Sequence, residues 1–185
     1  LCRMPAGWSF DQAAAVPVAY LTALHGLRDL AAVGPGDAVL VHAATGGVGM
    51  AAVQLARYLG ADVYGTASRA KWPVLRELGL ADDHIASSRS TEFADRFRAA
   101  RGGAGLDVVL NSLAGERTDA SLDLLADGGR FLELGRADRR DPATVPHLRY
   151  QTVDVRDAGH DRIGELLTEL VELFAAGALD PPRVS

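Results

Sequence analysis

The sequence predicts an α/β fold: a doubly wound, six-stranded parallel sheet with helices on both faces. Three observations predict it. Short apolar runs alternate with amphipathic stretches along most of the chain, the order of strand and crossover helix. One junction, Ala38 to Gly60, passes from an apolar run through a glycine turn into helical spacing. The length, 185 residues, suits one large domain.

The elements follow in order. Leu1 to Ser9 is an irregular lead-in containing Pro5 and Gly7. Ser9 or Asp11 can cap the helix that follows, because a short oxygen-bearing side chain there accepts from a free helical N–H. Ala13 to Val16, then Val18, Leu21, Leu24 and Leu27, form an apolar helical face, with a break expected at Pro17. Val33 to Asp37 is a turn. Val39-Leu40-Val41 is a buried strand, and Met50, Val53, Leu55 and Leu59 mark the helix after the glycines. Asp62 to Thr66 is the second strand, Lys71 to Leu78 a helix ended by Gly79, and His84 to Ala86 a short third strand. Phe93 to Ala100 is a helix closed by Gly102-Gly103. Leu106 to Leu110 is a buried strand, and Ala120 to Leu125 lies in another helix. Arg130 to Leu134 is a strand after a Gly128-Gly129 turn. Asp138 to Pro146 is a charged loop, Leu148 to Val155 the last strand, and Ile163 to Ala175 the last helix, stopped by Gly177 before Pro181-Pro182.

Composition narrows the function. A formal net charge of −5 argues against a general nucleic-acid surface. No apolar run approaches the roughly 20 residues of a membrane helix, and no leader pattern opens the chain. Cys2 is the sole cysteine, which rules out a disulfide within the chain and a cysteine-rich metal site. A cytoplasmic setting is expected.

The glycine turn reads Ala44-Thr45-Gly46-Gly47-Val48-Gly49, an A-x-G-x-x-G form of the dinucleotide fingerprint. Strand, turn and helix stand in the order that a Rossmann fold requires. Thr45, Gly46, Gly47, Val48 and Gly49 let the backbone approach a diphosphate, and the helix start offers free N–H groups and positive dipole charge. Ala44 departs from the usual first glycine, which is tolerable where its φ stays negative. In such a sheet the ligand crevice lies at the carboxyl ends of the strands.

Cofactor choice is read about 20 residues further on, where an NAD site places an acid for the ribose 2′-hydroxyl. Here the strand ends in Thr66-Ala67-Ser68-Arg69-Ala70-Lys71, with no carboxylate and the chain's sole lysine. Ser68, Arg69 and Lys71, with Arg89 after the next strand, suit a 2′-phosphate, so NADPH is expected over NADH.

These residues resemble the enoyl reductase domain of modular polyketide synthases, of the medium-chain dehydrogenase/reductase superfamily. His42 to Ala56 carries the resemblance first. Ser68 to Trp72 (S-x-x-K-W), His84 to Arg89 (HIASSR), Asp107 to Gly115 (DVVLNSLAG) and Gly129 to Gly135 (GRFLELG) follow in the family's order. The resemblance covers nearly the whole chain and implies its nucleotide-binding lobe, with residues 1–9 and 178–185 crossing to a separate substrate lobe. It implies reduction of a trans-2-enoyl thioester on an acyl carrier protein, flanking synthase domains as partners, and the zinc-free branch. Asn111, Ser112, Leu113, Leu134 and Gly135 would line the nicotinamide side. Arg136 and Asp154 map to the family's catalytic lysine and aspartate. Arginine at 136 is a departure, since a guanidinium is a poor proton donor near neutrality; it can stabilise enolate charge or pair with Asp154.

Three readings stay open at this point: the enoyl reductase lobe, a quinone oxidoreductase of the same superfamily, and a non-catalytic nucleotide-binding or docking module. His42, beside the glycine turn, and Glu133, inside a strand, read as structural.

Overall fold

The computed structural model describes residues 2–182. Leu1 and residues 183–185, the outer ends of the two expected crossings, lie outside the described residues. Six strands form one parallel sheet: β1 Ala38–Val41, β2 Asp62–Ala67, β3 Ile85–Ser87, β4 Leu106–Asn111, β5 Leu125–Glu133 and β6 Arg149–Thr152. Their order is β3-β2-β1-β4-β5-β6, and every neighbouring pair is parallel. The expected doubly wound topology is therefore present.

The helices are α1 Phe10–Ala15, α2 Pro17–Leu24, α3 Gly47–Tyr58, α4 Trp72–Glu77, α5 Glu92–Ala100, α6 Glu116–Asp123 and α7 His160–Ala175. Two apolar clusters separate the layers. On one face Val39 and Val41 pack with Leu24 of α2, Val53 and Leu55 of α3, and Leu166 and Leu170 of α7. On the other, Leu40, Val109 and Phe131 meet Phe93 and Phe97 of α5 and Leu122 of α6. Alternate residues of β1 to β5 thus feed opposite cores, as a period of two demands.

Local chemistry accounts for most boundaries. Ser9 caps α1 with a reciprocal Gln12 contact. Pro17 opens α2, where its missing N–H costs nothing. Several expectations shift. The helix expected over Ala120 to Leu125 is Glu116–Asp123, because Leu125 already pairs with Leu106 as the start of β5. Gly128-Gly129 is a bulge within that strand rather than a turn before it: Gly128 takes a φ of +76° and donates its N–H to the His147 carbonyl. α4 begins at Trp72, with Arg69–Lys71 forming a separate 3₁₀ turn ahead of Pro73. β6 is shorter than expected, since Asp154 caps a 3₁₀ turn at Val155–Ala158. A π-helical segment, His25–Leu30, extends α2; apolar spacing alone does not distinguish it from an ordinary helix.

The closest approach of a glycine to backbone lies in the first turn of α3. A Cβ at Gly49 would fall 2.3 Å from the Ala43 carbonyl oxygen, whereas at Gly47 the nearest neighbour would be Ala19 Cβ at 3.8 Å. Gly49→Ala is expected to lower unfolding free energy by more than about 2 kcal/mol, through forced backbone displacement. Gly47→Ala is expected to change it by less than about 0.5 kcal/mol. Urea unfolding of the two variants checks the contrast.

Candidate functional site

The helices after β1 and β4 cover opposite faces, so the tips of these neighbouring strands open a crevice. The chain at the end of β1 is held in two directions. His42 donates its N–H to the Leu110 carbonyl at 3.1 Å, and Ala44 donates to Thr66 at 2.9 Å. Residues two apart in a regular strand point the same way. The reversal is made by Ala43, whose φ is +47°. The Ala43 carbonyl then accepts from Gly46 at 2.8 Å, closing the turn. Ala44 keeps a negative φ, and its methyl is fully buried beside Gly65 of β2, where a Cβ would lie 3.2 Å from it. A glycine on the next strand thus makes room for the departure in the fingerprint.

Gly46 caps α3 without any side-chain bond. The first-turn N–H groups of Gly47, Val48 and Gly49 therefore have neither a side-chain cap nor a helical partner. Gly46 to Gly49 line a cleft of ≈ 620 Å³ that also takes in Thr22, Ser112, Leu134, Arg136 and Asp154. Thr45 sits in the turn itself, outside the lining. A groove of ≈ 780 Å³ along α7 is lined by Glu165, Glu169 and Glu172, the wrong sign for a diphosphate.

At the far side of the cleft, Arg136 is 75% exposed and stands 3.8 Å from Asp154. Asp154 has a nearer partner that sequence reasoning did not single out. Arg156 Nε donates to its Oδ1 at 2.9 Å, and the second guanidinium nitrogen reaches Oδ2. Arg156 holds the Asp154 carboxyl well below the usual range, so this group is an ionised acceptor. Arg139 also borders the cleft and donates to the Gly135 carbonyl at 3.1 Å. The signal for both was the density of arginines after β5.

Ser68, Arg69, Lys71 and Arg89 follow the tips of β2 and β3 and do not line this cleft. Ala67 pairs with Ser87, and Ser88 donates its N–H to the Ala67 carbonyl at 3.2 Å. The two tips are thereby fixed side by side. Among the described residues Arg69, Lys71 and Arg89 form no ion pair, and the Arg69 guanidinium lies 5.7 Å from the Trp72 ring centroid.

Asn111 and Gly135 are placed differently from simple lining. Asn111 is fully buried and Glu133 is 1% exposed. Asn111 Nδ2 donates to Glu133 Oε2 at 2.8 Å, and the Gly135 N–H donates to Oε1 at 2.6 Å. Leu113 donates its N–H to Asn111 Oδ1 at 3.1 Å. The cleft itself is reached by Ser112 and Leu134. Burial pushes the Glu133 carboxyl up, against the pull of the Asn111 and Gly135 hydrogen bonds.

Comparison with known proteins gives this geometry a family. The zinc-binding dehydrogenase family model matches residues 47–175. The pikromycin polyketide synthase component PikAII of Streptomyces venezuelae is 58% identical over 183 residues, which cover 97% of this chain and 5% of that protein. The X-ray structure of the nucleotide-binding subdomain of the enoylreductase domain of PpsC from Mycobacterium tuberculosis is 40% identical, with a TM-score of 0.79 over 90% of this chain and 97% of that one. The chain belongs to the polyketide synthase enoyl reductases, as their nucleotide-binding subdomain. The crystal structure of CurK enoyl reductase extends further: this lobe matches 56% of it, with a TM-score of 0.93 and 40% identity.

The family description names zinc, and the donor set of this enoyl reductase lobe does not fit it. Among the described residues no group of three or more His, Cys, Asp or Glu side chains comes together to hold a metal ion, and Cys2 is exposed.

His42 lines the cleft of the lobe yet is 2% exposed. Ser121 donates its hydroxyl proton to the Arg117 carbonyl at 2.6 Å, so it accepts from His42 Nε2, 2.8 Å away. Thr66 then donates to Nδ1 at 2.8 Å. Both ring nitrogens are used, and the ring is structural. Burial, with Arg117 nearby, pushes its pKa down to about 3. Below pH about 6.5 the unfolded chain binds a proton that the folded chain refuses, so stability should fall as pH drops from about 6.5 towards 3. The slope expected from this group approaches about 1.4 kcal/mol per pH unit. Urea unfolding between pH 7 and 4, compared with His42→Gln, measures it.

Proposed function

We propose that this lobe binds NADPH and serves reduction of a trans-2-enoyl thioester on an acyl carrier protein to the saturated thioester. The observation that carries the reading is the position of Arg69, Lys71 and Arg89 just beyond the paired tips of β2 and β3. No carboxylate neutralises them among the described residues, and they follow on from the uncapped start of α3. An acid there would serve NADH; three unpaired cations and Ser68 serve a 2′-phosphate.

NADPH supplies the hydride when bound. The N–H groups of Gly47, Val48 and Gly49 hold the diphosphate, with Thr45 and Gly46 shaping the turn. Ser68, Arg69, Lys71 and Arg89 hold the 2′-phosphate. Ser112 and Leu134 face the nicotinamide end, supported by Asn111, Leu113 and Gly135. Arg136 stabilises negative charge that develops on the thioester oxygen as the β-carbon is reduced. Asp154 orients Arg136 and Arg156 rather than giving a proton, because it is already ionised. The proton for the α-carbon therefore comes from outside these two side chains.

Residues 1–9 and 178–185 cross to the substrate lobe in this reading, and the flanking synthase domains deliver the thioester in the cytoplasm. The share of CurK matched supports such a second lobe.

Calorimetry with the chain should give NADPH binding in the micromolar range and NADH at least about tenfold weaker, the worth of one charge-assisted bond. Lys71→Ala should weaken NADPH by about tenfold and leave NADH unchanged. Equal affinity for the two cofactors would remove the 2′-phosphate reading. Joined to its substrate lobe, the protein should oxidise NADPH with a crotonyl thioester. Oxidation with a quinone alone would favour quinone reduction, and none with either would leave a binding module.

A further inference from the structure

Nothing in the chemistry above uses the buried carboxylate of Glu133, yet it occupies the end of β5 beside the cleft. A carboxylate 1% exposed is costly unless its lone pairs are filled. Here three donors converge on it. Asn111 Nδ2 reaches Oε2 at 2.8 Å, Gly135 N–H reaches Oε1 at 2.6 Å, and the Tyr150 hydroxyl lies 3.5 Å from Oε2. The Asn111 amide is in turn closed onto Leu113, taking its N–H at Oδ1 and giving Nδ2–H to its carbonyl, both at 3.1 Å. The Leu134 N–H donates to the Asn111 carbonyl at 2.9 Å.

These contacts tie the ends of β4 and β5 into one unit. From it emerge Ser112 and Leu134, the two residues of these strand tips that reach the cleft. Gly135 is part of the same device: a Cβ there would stand 2.7 Å from Glu133 Oε1. Among the described residues no hydrogen bond of the unit involves Ser68, Arg69, Lys71 or Arg89.

We propose that Glu133 is a positioning residue that sets the nicotinamide-facing tips of β4 and β5 by accepting from Asn111 and Gly135 together. This rests on the cofactor reading above. The requirement is for an acceptor on both oxygens. Glutamine has nearly the same shape but one NH₂ group, which must face either the Gly135 N–H or the Asn111 NH₂. Either orientation sets donor against donor and releases one strand tip. The adenosine end is fixed by other bonds and should not respond.

The test uses the 185-residue chain with two probes, NADPH and adenosine 2′,5′-bisphosphate, which carries the adenosine end alone. Glu133→Gln should weaken NADPH by about tenfold, as loss of a bond to a charged group predicts. It should also abolish the fluorescence gain of bound NADPH and leave the bisphosphate within about twofold, as for a distant, independent site. Unchanged NADPH affinity and fluorescence would overturn the proposal. Equal loss of both probes would overturn it too, since that is the mark of a general structural role. Hydrogen exchange of the unaltered chain is a second measurement that does not depend on the variant folding. The Leu113 and Gly135 amides should be protected despite their place at strand ends, and free exchange would overturn the proposal. Failure of the unaltered chain to bind NADPH, with the bisphosphate still bound, would overturn the cofactor reading itself and this inference with it.

Discussion

No side chain fits between the first turn of α3 and the carbonyl of Ala43. That contact fixes the helix start at the end of β1, where the order of strand addition reverses. Three other features are arranged around it. Ala43 takes a left-handed φ so that the chain can bond β4 on one side and β2 on the other. Ala44 fills a space left by Gly65. His42 is locked between Thr66 and Ser121, joining β1, β2 and α6 in one polar chain. The result is a helix N-terminus with unmet donors held rigidly at the mouth of a crevice, the arrangement to which a diphosphate is best suited.

Charge is distributed along the strand tips with a consistent logic. Beyond the tips of β2 and β3, Arg69, Lys71 and Arg89 form no ion pair among the described residues, whereas Arg76 and His84 nearby are paired with Asp82 and Asp62. Around β5 and β6 the arginines are already engaged: Arg156 with Asp154, and Arg140 with Asp119 and Asp138. Arg136 is the intermediate case, exposed and at the edge of ion-pair range. A guanidinium that keeps its charge at every ordinary pH can stabilise an oxyanion but cannot reprotonate a carbon.

The fold was legible because its signals are local. The strand runs of β1 and β2, the glycine turn, Ser9 and Pro17 each act through their own backbone, and these took the expected places. Misreadings came where partners decide. Leu125 looked helical by spacing, but Leu106 recruits it into β5. Gly128-Gly129 reads as a turn in one dimension and is a bulge once Gly128 bonds to His147.

The sequence by itself determined the order of strands and helices, the glycine turn and the cationic character beyond β2, because those depend on neighbours in the chain. Only the tertiary structure decided what Asn111, Glu133 and Asp154 do. Asn111 and Glu133 lie 22 positions apart, and their donor–acceptor match exists only when β4 and β5 are paired. Asp154 pairs with Arg136 in the sequence reading, and the turn after β6 folds Arg156 onto it as a nearer partner.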